Sequence, residues 1–142
     1  VAGYPEKHLE SPSLQSDLKR LKEKVDAGAD YVVTQMFFDN SKYFEFVEKA
    51  RAMGITIPII PGIKPIAVKK HMQLLPQIFR VDLPEDLITA VEKCTSAAEV
   101  KAVGIEWAIQ QSLELKQAGV PVLHYYTLGK PKIIYNAVKQ VF

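Results

Sequence analysis

Alternation between apolar runs and amphipathic helical patterns constrains this chain more than any other feature of its sequence. The run Tyr31-Val32-Val33-Thr34-Gln35-Met36-Phe37-Phe38 is apolar at nearly every position and rich in β-branched and aromatic residues. Such a run suits a strand covered on both faces, as in a parallel sheet. Two further runs follow: Ile57-Pro58-Ile59-Ile60, ending at Pro61-Gly62, and Val120 to Tyr126. Pro58 has no N–H for a strand ladder and belongs near the beginning of its strand. A fourth strand is implied at the start, where Val1-Ala2-Gly3 reads as a strand end running into a turn at Tyr4-Pro5.

Helical patterns separate these runs. Ser11-Pro12 offers a capping hydroxyl and a proline at the first helical position; Leu14, Leu18, Leu21 and Val25 then recur at helical spacing, and Gly28 stops them. Asp39, Asn40 and Ser41 are candidate caps for a second helix with the stripe Tyr43, Phe46, Val47 and Ala50, closed by Gly54. The stretch from Ala67 to Lys116 reads as three helices. One covers Val68 to Leu75, before Pro76; one starts at Pro84 and carries Leu87, Ile88 and Val91; one starts near Ser96, carries Val100, Val103, Trp107, Ile109 and Leu113, and is followed by Gly119. A last helix carries Ile133, Ile134, Ala137, Val138 and Val141.

Parallel neighbours need crossover connections, so strands alternating with helices imply an α/β fold with a parallel sheet. No internal linker stands out, and residues 1–142 are expected to form one unit. Four β/α units fit either a small open sheet or half of an eight-stranded barrel, which takes about 250 residues. The pattern alone leaves both open. Opening on Val1 in mid-motif is unusual, and a piece of a larger protein is expected.

Composition removes other classes. Hydrophobic residues at 48% exclude a disordered tail. Eighteen basic against 16 acidic residues leave +2, too small a bias to argue for a nucleic-acid or membrane partner. No apolar run approaches the length of a membrane-spanning helix. Cys94 is the one cysteine, expected in a helical core, which suits a reducing, cytoplasmic setting. There is no Gly-rich phosphate loop, no HExxH and no cysteine pair, so no metal site is expected.

Ligands of parallel α/β folds bind at the carboxyl ends of the strands. Those ends carry Tyr4, Glu6 and His8; Thr34, Gln35 and Asp39; Pro61, Gly62 and Lys64; and His124, Tyr126, Thr127 and Lys130. Gln35 is costly in an apolar strand unless it is paired, either to a ligand or as a buried structural amide. His8 alone reads as a solvated loop residue, and Tyr126 equally well as a core tyrosine with a satisfied hydroxyl. On the first helix Arg20 and Lys24 share a face, one turn after Asp17. They form either a solvated salt-bridged face or a phosphate clamp.

Taken together, five strings resemble methylenetetrahydrofolate reductase: Ala2-Gly3-Tyr4-Pro5-Glu6-Lys7-His8, Asp17 to Ala29, Thr34-Gln35-Met36-Phe37-Phe38-Asp39, Ile59-Ile60-Pro61-Gly62-Ile63 and His124-Tyr125-Tyr126-Thr127-Leu128. The resemblance spans nearly the whole chain. It implies the second half, strands five to eight, of a TIM-type barrel. That barrel uses FAD to pass a hydride from NADH or NADPH to 5,10-methylenetetrahydrofolate, giving 5-methyltetrahydrofolate. Tyr4, His8, Asp17, Arg20 and Lys24 would then contact FAD, and Gln35 the pterin ring of the folate. Tyr126 would lie at the shared folate and nicotinamide site. Lys130 stands where some members carry arginine; lysine holds a carboxylate as a point charge but not as a bidentate fork. The general acid of the family would precede Val1, and Glu6 does not match it. The chain is therefore expected to need an amino-terminal half-barrel as its partner, to be inactive alone, and to belong to a homo-oligomeric parent. Two other readings remain: a self-associating, non-catalytic half-barrel, and a pterin-binding methyltransferase barrel.

Overall fold

The computed structural model describes residues 1–129 and 131–142. The elements run β1 (Ala2–Gly3), α1 (Leu14–Asp26), β2 (Val32–Met36), α2 (Asn40–Ala52), β3 (Ile59–Ile63), α3 (His71–Phe79), α4 (Glu85–Glu92), α5 (Ala97–Gln117), β4 (His124–Tyr125) and α6 (Pro131–Val141). The strands form one sheet in the order β1-β2-β3-β4, every pair parallel. The order never reverses, so successive crossovers all step in one direction. Right-handed crossovers then lay the helices on one face of the sheet.

That arrangement corrects the expectation that the strands are covered on both faces. In β2, Val32, Thr34 and Met36 are buried while Val33 and Gln35 are only half-buried, and Ile60 of β3 is half-buried as well. The helix side holds a core of Val32, Leu18, Leu21, Phe37, Phe46 and Ile63 with α5 residues Ala108 and Leu115. A second core joins Met36 and Phe38 to Ile66, Leu75, Leu87, Val91 and Val100.

Local chemistry explains most element ends. Gly28, Gly54 and Gly119 adopt φ of +108°, +78° and +82°, and the next residue in each case donates its N–H five residues back, to Lys24, Ala50 and Leu115. Asp39 caps α2 through Ser41 N–H at 2.8 Å, and Ser96 caps α5 through Glu99 N–H at 3.2 Å.

Other boundaries differ from the sequence reading. α1 starts two residues later than Ser11-Pro12 suggests, because Ser13 is extended and its hydroxyl accepts from Ser16 N–H at 3.1 Å. The hydroxyl of Ser11 instead donates to the Ser13 carbonyl. α3 begins at His71 and continues through Pro76, which has no N–H to give Met72; the helix ends one turn later at Arg80 in the left-handed region. β3 extends through Pro61 and Gly62 to Ile63. β4 is shorter than expected, because Val120 donates back to the end of α5 and Pro121 has no donor at all. Cys94 follows α4 and is half-buried, its thiol donating to the Ala90 carbonyl at 3.3 Å. Among the described residues, no helix is long and apolar enough to cross a membrane.

Candidate functional site

The loop after β1 is pinned from several sides. Asp17, in the first turn of α1, accepts the His8 backbone N–H at 2.7 Å, a position where the helix dipole favours a carboxylate. Glu10 N–H donates to His8 Nδ1 at 3.2 Å, so a neutral imidazole carries its proton on Nε2. The Tyr4 and His8 rings meet edge to face with centroids 4.7 Å apart. Lys7 sits at φ +89° and donates its ammonium to the Ser11 carbonyl at 2.8 Å.

Pinned this way, Tyr4 and His8 meet Asp17, Arg20 and Lys24 around one cavity of about 150 Å³, floored by Ala2 and Gly3. Gly3 is required there, since a Cβ would fall 2.8 Å from Val32 and 2.9 Å from Phe46. On α1 the ion pair is Lys22 with Asp26, whereas Arg20 and Lys24 are exposed at the cavity rim and make no ion pair with Asp17. The cavity has room for one small anionic group, not for a whole dinucleotide.

Gln35 lies on an adjoining groove of about 350 Å³, shared with Tyr4, His8, Ile78 and Phe79. Its Oε1 accepts the Met36 N–H at 3.0 Å. Tyr126 takes another position. Its hydroxyl donates to the Thr34 carbonyl at 2.8 Å, and its ring lines a cavity of about 170 Å³ with Lys64, His71 and Thr127. Burial first, and the neighbouring Tyr4 phenol second, push its pKa up, so it remains a donor at ordinary pH. Both alternatives for Tyr126 thus have a footing: the hydroxyl is satisfied within the sheet while the ring faces a cavity. Lys130 lies outside the described residues.

Three contributions were not legible in the sequence. Glu6 reaches across to the α3–α4 connection, where its Oε1 accepts the Asp82 N–H at 2.9 Å. Its Oε2 is buried with no hydrogen-bond partner. Burial is the main cause that raises its pKa from 4.5 to about 7; the Asp82 N–H and Lys42 oppose the rise, and the Asp82 and Asp39 carboxylates add to it. Thr34 accepts the Gly62 N–H at 2.9 Å through its hydroxyl. Behind β2, Asn40 and Gln111 bond each other, and Asn40 donates to Glu114 at 2.6 Å while Gln111 donates to the Phe37 carbonyl at 3.2 Å. Of the α5 amides and acids only Gln111 is buried, and nothing in its sequence neighbourhood distinguishes it from the exposed Gln110. Among the described residues no His, Cys, Asp and Glu side chains group to hold a metal ion.

Comparison with known proteins adds to this geometry. Residues 1–141 match the family described as methylenetetrahydrofolate reductase. A methylenetetrahydrofolate reductase (NADH) of Arabidopsis thaliana is 42% identical over 93% of this chain and 24% of its own length. The 5,10-methylenetetrahydrofolate reductase of Escherichia coli is 38% identical over 95% of this chain and 46% of its own length. A probable methylenetetrahydrofolate reductase (NADPH) of Caenorhabditis elegans is 34% identical over 99% of this chain and 21% of its own length. The chain therefore spans less than half the length of these relatives. Among solved structures, an uncharacterized Clostridium thermocellum protein described as binding two copies of 5-methyl-5,6,7,8-tetrahydrofolic acid shares the fold. Its TM-score is 0.59 at 15% identity, over 99% of this chain and 50% of that one. By its match along nearly every residue, the chain belongs to the methylenetetrahydrofolate reductase family.

Proposed function

We propose that this chain is the carboxy-terminal half, strands five to eight, of the barrel of a flavin-dependent methylenetetrahydrofolate reductase. The parent would reduce 5,10-methylenetetrahydrofolate to 5-methyltetrahydrofolate with NADH or NADPH. The observation that carries the reading is the gathering of Tyr4, His8, Asp17, Arg20 and Lys24 around one cavity, next to the groove bearing Gln35. The half-buried sheet face of Val33, Gln35 and Ile60, and an order of strands that never reverses, support a partial barrel. An amino-terminal half would complete it.

The donor set fits FAD. Two exposed cations on one face of α1 suit its phosphates, and the Tyr4–His8 loop offers aromatic surface and hydrogen-bonding atoms beside them. When bound, the flavin supplies hydride transfer. The residues of this chain bind and orient: His8, anchored through Asp17, and Arg20 with Lys24 hold the cofactor, while the Gln35 amide donates to and accepts from the pterin. Tyr126 contributes its ring at the shared folate and nicotinamide site, and Lys130 would face the folate carboxylates as a point charge. General acid catalysis at the pterin nitrogen would fall to the amino-terminal half of the barrel.

The test is reconstitution. The 142-residue chain alone, given FAD, reduced nicotinamide and 5,10-methylenetetrahydrofolate, is expected to show no turnover, and the full-length protein is expected to show it. A flavin titration of the full-length protein with His8→Ala should show weaker binding. Folate binding without any flavin affinity would instead favour a methyltransferase.

A further inference from the structure

Between β2 and β3 the ladder is irregular at the carboxyl end, while β3 and β4 pair regularly and Tyr126 N–H donates to the Ile63 carbonyl at 2.9 Å. Val33 of β2 pairs with Ile60 of β3, but Met36 pairs with Gly62, so Thr34 and Gln35 together oppose Pro61. That is a bulge, one extra residue in β2. It sits where the facing strand carries a proline, which has no N–H to keep the ladder regular. Two side-chain bonds rebuild the junction: Gly62 N–H donates to the Thr34 hydroxyl at 2.9 Å, and the Tyr126 hydroxyl donates to the Thr34 carbonyl at 2.8 Å.

Tyr126 follows β4, so its ring must pass over β3 to reach β2. It passes at Gly62, where a Cβ would lie 2.6 Å from the ring and 2.4 Å from the Thr34 carbonyl. The next residue after Thr34 is Gln35, half-buried, its Oε1 turned back to Met36 N–H and its side chain on the groove shared with Tyr4 and His8.

We infer that the hydroxyl of Tyr126, with Thr34 and Gly62, is a positioning device that holds the β2 bulge so that Gln35 presents its amide to the folate. The inference rests on the functional reading above and goes one step deeper into the same site. The Tyr126 ring lines a cavity, but its hydroxyl acts through Gln35 and not on the substrate.

The test is a double-mutant cycle in the full-length, flavin-loaded enzyme. Tyr126→Phe keeps the ring over Gly62 and removes one hydrogen bond. It should raise KM for 5,10-methylenetetrahydrofolate about five- to tenfold while changing kcat less than about twofold, with flavin affinity unchanged. In a Gln35→Ala background the same change should have no further effect. Thr34→Val should reproduce Tyr126→Phe, and Thr34→Ser, which keeps the hydroxyl, should restore wild-type KM. Should Tyr126→Phe fail to fold, the Thr34 pair in the Gln35→Ala background decides alone. Additive effects in the cycle, or a fall in kcat at constant KM, overturn the inference and leave the functional reading standing. No turnover by the wild-type enzyme overturns the reading and the inference with it.

Discussion

Glu6 makes the stability of this fold depend on pH in a direction opposite to most carboxylates. Its side chain bridges the loop carrying Tyr4 and His8 to the Asp82 N–H, with Oε2 buried and unpartnered. Burial, helped by the Asp82 and Asp39 carboxylates against Lys42 and the Asp82 N–H, raises its pKa from 4.5 to about 7. Because the folded value lies above the unfolded one, the contribution of Glu6 is full below about pH 4.5 and is lost as the pH rises through about 7. For a fully buried group the rise is equivalent to about 3 kcal/mol. Glu6 is partly exposed, and solvent screening reduces this to about 1–2 kcal/mol. Glu6→Gln keeps the shape and the acceptor for Asp82 but cannot ionise. At about pH 8.5 it should therefore unfold about 3–6 °C above the wild type, at roughly 3 °C per kcal/mol for a chain of this size. At about pH 3.5, below both the folded and the unfolded value, the two melting temperatures should coincide within about 1 °C. Thermal unfolding followed by circular dichroism at both pH values gives the answer. A Glu6→Gln protein that is less stable than the wild type at the higher pH, or shifted equally at both, would refute this account of the buried carboxyl.

Other outcomes follow from the packing and hydrogen bonds of the same fold. Gly104→Ala places a Cβ 1.8 Å from the Ile66 carbonyl oxygen, a contact of helix with backbone that no rotamer relieves; it should destabilise by about 3 kcal/mol or more, read as a fall of roughly 10 °C in Tm. Gln111→Leu leaves the Phe37 carbonyl and Asn40 Oδ1 without their shared donor and should cost about 2 kcal/mol in the same assay. Tyr43→Phe removes the bond to the Ile59 carbonyl at 2.8 Å and should cost about 1 kcal/mol. Arg20→Ala with Lys24→Ala should weaken flavin binding by the full-length protein about tenfold or more and flatten its dependence on salt, as measured by fluorescence titration. Unchanged affinity would remove both residues from the phosphate site.

Much of the architecture was readable because it rests on local rules. The apolar run of β2, the Asp39 and Ser96 caps and the glycines after α1, α2 and α5 each specify an element boundary through short-range chemistry. The rules fail where distant atoms compete. Pro76 reads as a helix end, yet α3 runs on for another turn. Ser11 looks like a cap, but Ser13 has the extended backbone and the hydroxyl that accepts the Ser16 N–H. Coverage of the sheet also depends on distant segments, since an apolar strand does not reveal which part of the chain lies over each face.

The site divides the same way. Periodicity put Arg20 and Lys24 on one face of α1, and alternation of strands and helices put Tyr4, Gln35 and Tyr126 at the same end of the sheet; these are consequences of fixed repeats along the chain. Whether Asp17 pairs with those cations or with the His8 backbone was decided by the path of the 4–10 loop, and it chose His8. The bond from Tyr126 to Thr34 joins residues 92 positions apart, and the pKa of Glu6 is raised mainly by burial where its side chain meets the Asp82 N–H, 76 positions away. Sequence alone determined the elements and their order, because those depend on neighbours a few residues off. Only the tertiary structure decided which hydroxyl, carboxylate and amide are committed to the fold and which face the groove, because hydrogen bonding and burial depend on what folding brings close.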